Sequence, residues 1–145
     1  MHAAWKIAVL TRSIAWKSSI ERLLMRELSQ GKIAWALDIE DLMSEVADQT
    51  HAAGVVELTV EHAVSDIRYL NLHRANCPAA RFFAVGDEWL KDESLTLREC
   101  GFSGDCHSLM HLHRLTKWLK RHLSKLPPAD LSLEELLAEQ LQIKP

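Results

Sequence analysis

LRECGFSGDCHSLMHLHRLTKWLKRHL, residues Leu97 to Leu123, is the stretch whose reading decides the fold. Gly101 stands where a helical pattern stops, as a C-capping glycine does. Phe102 to His107 is a short extended run, poor in β-branched residues, which suits an edge strand. Leu109, Leu112, Leu115, Leu119, Leu123 and Leu126 then recur within about 120° of arc at the helical period, predicting an amphipathic helix over Leu109 to Leu126. The unit is therefore helix, glycine, strand, helix.

Working back toward the N-terminus, the same alternation repeats. Apolar runs at Lys6–Leu10, Lys32–Ile39, Gly54–Thr59 and Arg81–Val85 predict four further strands. Between the first two, Ile20, Leu23, Leu24 and Leu28 mark a helix, with Ser18 and Glu21 as a capping box and Gly31 as its stop. Leu42, Met43 and Val46 mark a second helix. Val60 to Asn76 is a third, with Val64, Ile67, Leu70 and Leu72 inward, ended by Pro78. Trp89 to Cys100 is the fourth. Strands alternating with helices five times predict an α/β three-layer sandwich, a parallel sheet with helices on both faces. After this domain, residues 1–126, Pro127-Pro128 makes a stiff break. Residues 127–145 then carry a C-terminal amphipathic helix over Leu133 to Gln142, opened by Ser132 and Glu135.

Composition bounds the function. The chain has 145 residues, 48% hydrophobic and 26% charged, enough for one core without disulfides or metal. A net charge of -3 provides no basic field for nucleic acid or anionic membrane. No apolar run reaches the roughly 20 residues a membrane span needs. Met1 to Ser13 lacks the basic start and long apolar centre of a signal peptide. Three cysteines, an odd number, suit free thiols in a reducing compartment, so the expected location is the cytoplasm.

With the elements in place, the chain resembles a response-regulator receiver domain over about residues 5 to 125. KIAVLTRS (Lys6–Ser13) is similar to a receiver's first strand running into its first helix, and Leu97–Leu123 to the family's closing helix, turn, strand and helix. The resemblance implies a five-stranded parallel sheet in the order 2-1-3-4-5. It also implies a phosphorylation site at the carboxyl ends of the strands, and there this chain departs. The acidic pair that holds Mg²⁺ after the first strand corresponds to Thr11 and Arg12. The phosphate-accepting aspartate corresponds to Thr59, the switch hydroxyl to Gly86, and the lysine to Ser108. Mg²⁺ takes hard oxygen ligands, and a guanidinium repels it. A threonine without a neighbouring base is a poor nucleophile. No enzymatic phosphotransfer is expected.

Three constellations remain. Thr11, Arg12, Ser13, Thr59 and Asp87 line the strand-end crevice, either as a small-molecule or anion pocket or with Arg12 paired to Glu57, Glu61 or Asp87 in place of the metal. An anion sensor requires Arg12 unpaired; an interaction module requires a filled crevice. An enzyme needs a converging titratable pair, for which Glu57, Glu61 and Asp87 are weak candidates. No glycine-rich phosphate loop follows the first strand, which argues against a flavin or dinucleotide, and no cofactor is expected. Cys100, Cys106, His107, His111 and His113 hold zinc-type donors, yet five residues separate the two cysteines, outside the two to four of zinc knuckles. They read as surface histidines and packed thiols, with no metal site. Arg114, Lys117, Arg121 and Lys125 form a basic stripe opposite the leucines, with Trp118 beside it. It reads as a solvated face rather than a nucleic-acid track. The resemblance implies that the fourth helix, fifth strand and fifth helix form the partner-docking face. Trp89, His111, Arg114, Trp118 and Arg121 are its candidate anchors, for a protein partner or a second copy. The C-terminal arm is a further candidate contact.

Overall fold

A computed structural model describes residues 5–28, 32–47, 49 and 51–124. Five strands are present among them: β1 (Lys6–Leu10), β2 (Lys32–Trp35), β3 (Ala52–Glu57), β4 (Ala80–Val85) and β5 (Phe102–Cys106). The helices are α1 (Ile14–Glu27), α2 (Ile39–Ala47), α3 (Ala63–His73), α4 (Ser94–Glu99) and α5 (His113–Ser124). The strands form one parallel sheet in the order β2-β1-β3-β4-β5. The α/β class and the strand order are as expected. The proposed C-terminal helix and the boundary near Pro127 lie outside the described residues.

Successive side chains on a strand point to opposite faces, and the core divides accordingly. Ala8, Leu10, Ala52, Val56, Phe82 and Ala84 pack with Leu42, Met43, Val46, Leu70 and Leu97 on one face. Ile7, Val9, Ala53, Val55, Phe83 and Val85 pack with Ile20, Leu24, Leu115 and Leu119 on the other. Every residue of β3 is buried, as a central parallel strand covered on both faces must be. Fully buried leucines such as Leu115 and Leu119 each hold about 2–5 kcal/mol against truncation to alanine.

Several boundaries differ from the sequence reading, each for a local reason. α1 starts at Ile14 because Ser13, not Ser18, is its N-cap, with the Trp16 N–H donating to Ser13 Oγ at 3.3 Å. α3 turns Ala63, Asp66 and Leu70 inward, while Val64 and Leu72 are 69% and 72% exposed. The fourth predicted helix is a 3-10 turn (Glu88–Asp92) followed by α4. The fifth starts with a 3-10 turn (Leu109–His111) capped by Ser108.

On the edge strand, Phe82 pairs with Phe102 but Phe83 pairs with Gly104, so Ser103 is an extra residue. That bulge lets Phe102 join one core and Cys106 the other. Gly104 then faces α5, where an added Cβ would lie 2.8 Å from the Trp118 ring. Only glycine lets that indole lie flat on the strand. Gly101 has φ +98°, the left-handed geometry expected at a helix end.

Candidate functional site at the strand ends

The carboxyl ends of β1 and β3 lie side by side, with Leu10 in register with Val56. The chain leaves β1 through Thr11 and Arg12 and enters α1 at Ser13. Glu57 is the last residue of β3, and its Oε1 accepts from Arg12 N–H at 2.7 Å, from Ser13 N–H at 2.9 Å and from Ser13 Oγ at 3.3 Å. A buried carboxylate thus binds the entry to α1, where helix N–H groups favour negative charge.

The Arg12 side chain turns the other way, toward α3. Its Nη1 donates to Asp66 Oδ2 at 2.7 Å and to the Glu57 carbonyl at 2.8 Å, and its Nη2 donates to Asp66 Oδ1 at 3.1 Å. The Asp66 side chain is 4% exposed and that of Arg12 19%. This planar two-point pairing is the geometry a guanidinium and a carboxylate form best. The guanidinium thus pairs with the Asp66 carboxylate and the Glu57 carbonyl, bridging β3 and α3, while the Glu57 carboxylate is held by backbone and hydroxyl donors.

Two sequence assignments are corrected here. The residue that ends the third strand is Glu57, not Thr59, because pairing runs from Ala52 to Glu57 rather than along the apolar run Gly54–Thr59. Thr59 instead organises the turn into α3, its Oγ1 3.0 Å from His62 Nδ1 and its carbonyl accepting the Ala63 N–H. The fifth strand ends at Cys106, two residues before Ser108. Arg12 is paired, but with Asp66, which the sequence reading had not included. Glu61 is exposed, and Asp87 is the N-cap of the 3-10 turn Glu88–Asp92.

A cavity of about 540 Å³ at this end of the sheet is lined by Ser13, Asp87, Glu88, His107, Ser108 and Met110, and not by Arg12 or Asp66. Of the five crevice candidates only Ser13 and Asp87 line it; Thr11, Arg12 and Thr59 do not.

The five proposed docking residues fall in two places. Trp89 is half-buried and packs on the core beneath α2 and α3. Trp118 packs on the opposite core, stacked on Phe83 with centroids 6.1 Å apart and planes at 7°. His111 meets His107 edge to face at 6.0 Å, and Arg114 and Arg121 are exposed on α5. Neither tryptophan is a free surface ring. Cys106 is buried and its thiol donates to the Ser108 carbonyl at 3.1 Å; burial pushes its pKa up, against weaker opposing contributions from the Ser108 backbone and the charge of Arg114. Among the described residues, no three His, Cys, Asp or Glu side chains gather as metal ligands, and no helix is long and apolar enough to cross a membrane.

No protein-family model matches the chain, and no curated protein matches it. Among solved structures, a response regulator from Thermotoga maritima superposes with TM-score 0.63 at 13% identity, covering 84% of this chain and 99% of that one. An adenylate cyclase from Rhodopirellula baltica superposes with TM-score 0.61 at 7% identity, covering 99% of this chain and 100% of that one. At such identities the likeness is one of fold. The chain has a receiver-like fold, a five-stranded parallel sheet in the flavodoxin-like order β2-β1-β3-β4-β5.

Proposed function

We propose that this receiver-like domain is a signalling or regulatory module that acts by contact with another protein or a second copy, without accepting a phosphoryl group. The observation that carries the reading is the Arg12–Asp66 pair. A divalent ion at the ends of β1 and β3 would have to share its site with the Arg12 guanidinium. Moving Arg12 aside would strand Asp66, and breaking a buried pair costs about 3–5 kcal/mol. Glu57 already accepts hydrogen bonds from two backbone N–H groups and a hydroxyl. The same pairing counts against an anion sensor in the crevice, since Arg12 has no charge left to offer a ligand. The contact surface in this reading is the α4–β5–α5 region, where Arg114 and Arg121 are exposed and His111 and Trp118 half-buried, with half-buried Trp89 on the other face as a separate candidate anchor, together with the arm after Pro127. The expected compartment is the cytoplasm, where free thiols persist.

The test has two arms. Incubation with acetyl phosphate and Mg²⁺ is expected to leave the intact mass unchanged; addition of one phosphoryl group overturns the reading. Light scattering of the full chain is expected to give an oligomer that residues after Pro127 stabilise. A monomer that retains no partner on α4 or α5 in cross-linking overturns the contact role.

A further inference from the structure

On the outer face of α3, Val64, Ile67, Arg68, Asn71 and Leu72 line a shallow groove of about 470 Å³. They stand at i, i+3, i+4, i+7 and i+8, one stripe of a helix surface, which is the spacing that seats a second helix. Exposed Val60, one turn earlier, extends the apolar row. The inward phase of α3 is set by Ala63, Asp66 and Leu70, so Val64 and Leu72 add nothing to the core. Arg68, in the middle of the row, makes no ion pair among the described residues. Such a stripe fits a partner that is apolar along one side and acidic at its borders.

The chain carries a segment of that kind. Leu133, Leu136, Leu137 and Leu141 fall within about 140° of arc at the helical period, with Glu134 and Glu139 on either side. From residue 129 onward there are four acids (Asp130, Glu134, Glu135, Glu139) against one base, Lys144. Residues 133–142 are fewer than the roughly 12–15 that a helix needs to stand alone in water, so their leucines need a surface. A second α3 is a poorer occupant of the stripe, because antiparallel pairing about a two-fold axis would set the two Arg68 guanidinium groups near each other.

The α3 of the same copy is poorly placed to receive the arm. α5 packs on the opposite face of the sheet and ends beside the start of β3, with His122 Nε2 2.7 Å from the Ala52 carbonyl. From there to a helix lying outside α3 is three layer spacings of roughly 10 Å each. Residues 125–132 reach at most about 29 Å, which leaves nothing for the detour around the sheet.

We propose that residues 133–142 of one copy dock as a helix on the α3 stripe of a second copy, reciprocally, with leucines on Val64, Ile67 and Leu72 and acids around Arg68. This rests on the contact role proposed above and gives the arm its surface.

Light scattering of the full chain is expected to show a dimer. Val64→Glu with Leu72→Glu blocks the stripe, and Leu136→Glu with Leu137→Glu breaks the arm; each pair should weaken dimerisation at least about tenfold. Met25→Glu, at a 70% exposed position on α1, should change nothing. Mixing the two double variants should restore a dimer, because the intact arm of the first finds the intact α3 of the second. Should the stripe variant lose its helical circular dichroism, Arg68→Gln alone is expected to weaken dimerisation about threefold. A monomeric wild-type chain, a mixture of folded variants that stays monomeric, or an equal loss in Met25→Glu overturns the proposal. A dimer that persists in both double variants overturns it too, while leaving a contact role through α4–β5–α5 intact.

Discussion

At the scale of single residues, the account rests on which groups neutralise Arg12. Asp66→Asn leaves the guanidinium without its carboxylate and should destabilise the domain by about 2–4 kcal/mol, read from urea unfolding. Arg12→Met combined with Asp66→Leu should restore much of that loss, because replacing both members of a buried pair removes the unpaired charge. A double variant no more stable than Asp66→Asn would contradict the pairing. Glu57→Gln keeps the shape but weakens the charge-assisted bonds to Arg12 and Ser13, an expected cost of about 1–3 kcal/mol. Cys106 tests burial in another way. Its pKa is raised in the folded state by desolvation, so its contribution to stability is present below the ordinary thiol value of 9.0 and lost as pH climbs through the folded value. Half-buried Cys100 should therefore react with iodoacetamide before Cys106 at neutral pH, checked by peptide mass mapping; the reverse order would contradict the burial argument. Of these residues, Arg12 was legible from the sequence as the cation at the first strand's end. Asp66 was not, because an acid on the inward face of a helix looks like an error of periodicity until the helix phase is known.

At the scale of elements, the contact between α5 and the edge strand depends on Gly104. Gly104→Ala should push the Trp118 ring outward and cost about 1–3 kcal/mol of overpacking. In a Trp118→Ala background the same substitution should be nearly neutral, since the clashing ring is gone; an undiminished cost there would locate the effect elsewhere. The leucine spacing of α5 and the glycine before β5 were readable because each has one cause, helix period or backbone conformation. The ends of β3 and β5 were not. Apolar character continues through Leu58 while pairing stops at Glu57, and hydrophobicity alone does not reveal where a ladder ends. For the same reason α3 was read with Val64 and Leu72 inside: both are apolar, but the phase set by Ala63, Asp66 and Leu70 leaves them in water.

At the scale of the whole molecule, the strand order follows from alternation and from the receiver resemblance, and the two buried layers explain why central strands are apolar throughout. The function depends on which end of the sheet remains open to chemistry. The carboxyl end, where such sheets usually bind ligands, is occupied near β1 and β3 by the protein's own ion pair. In the proposed reading, this ion pair keeps a receiver-like fold from accepting a phosphoryl group at its strand ends. Titration calorimetry with Mg²⁺ and beryllofluoride, which imitates a bound phosphoryl group, tests that claim most directly. No heat of specific binding is predicted for the wild-type chain. A saturable one-to-one isotherm that needs both Mg²⁺ and Glu57 would mean that Arg12 yields its place to a metal, and the account would be wrong.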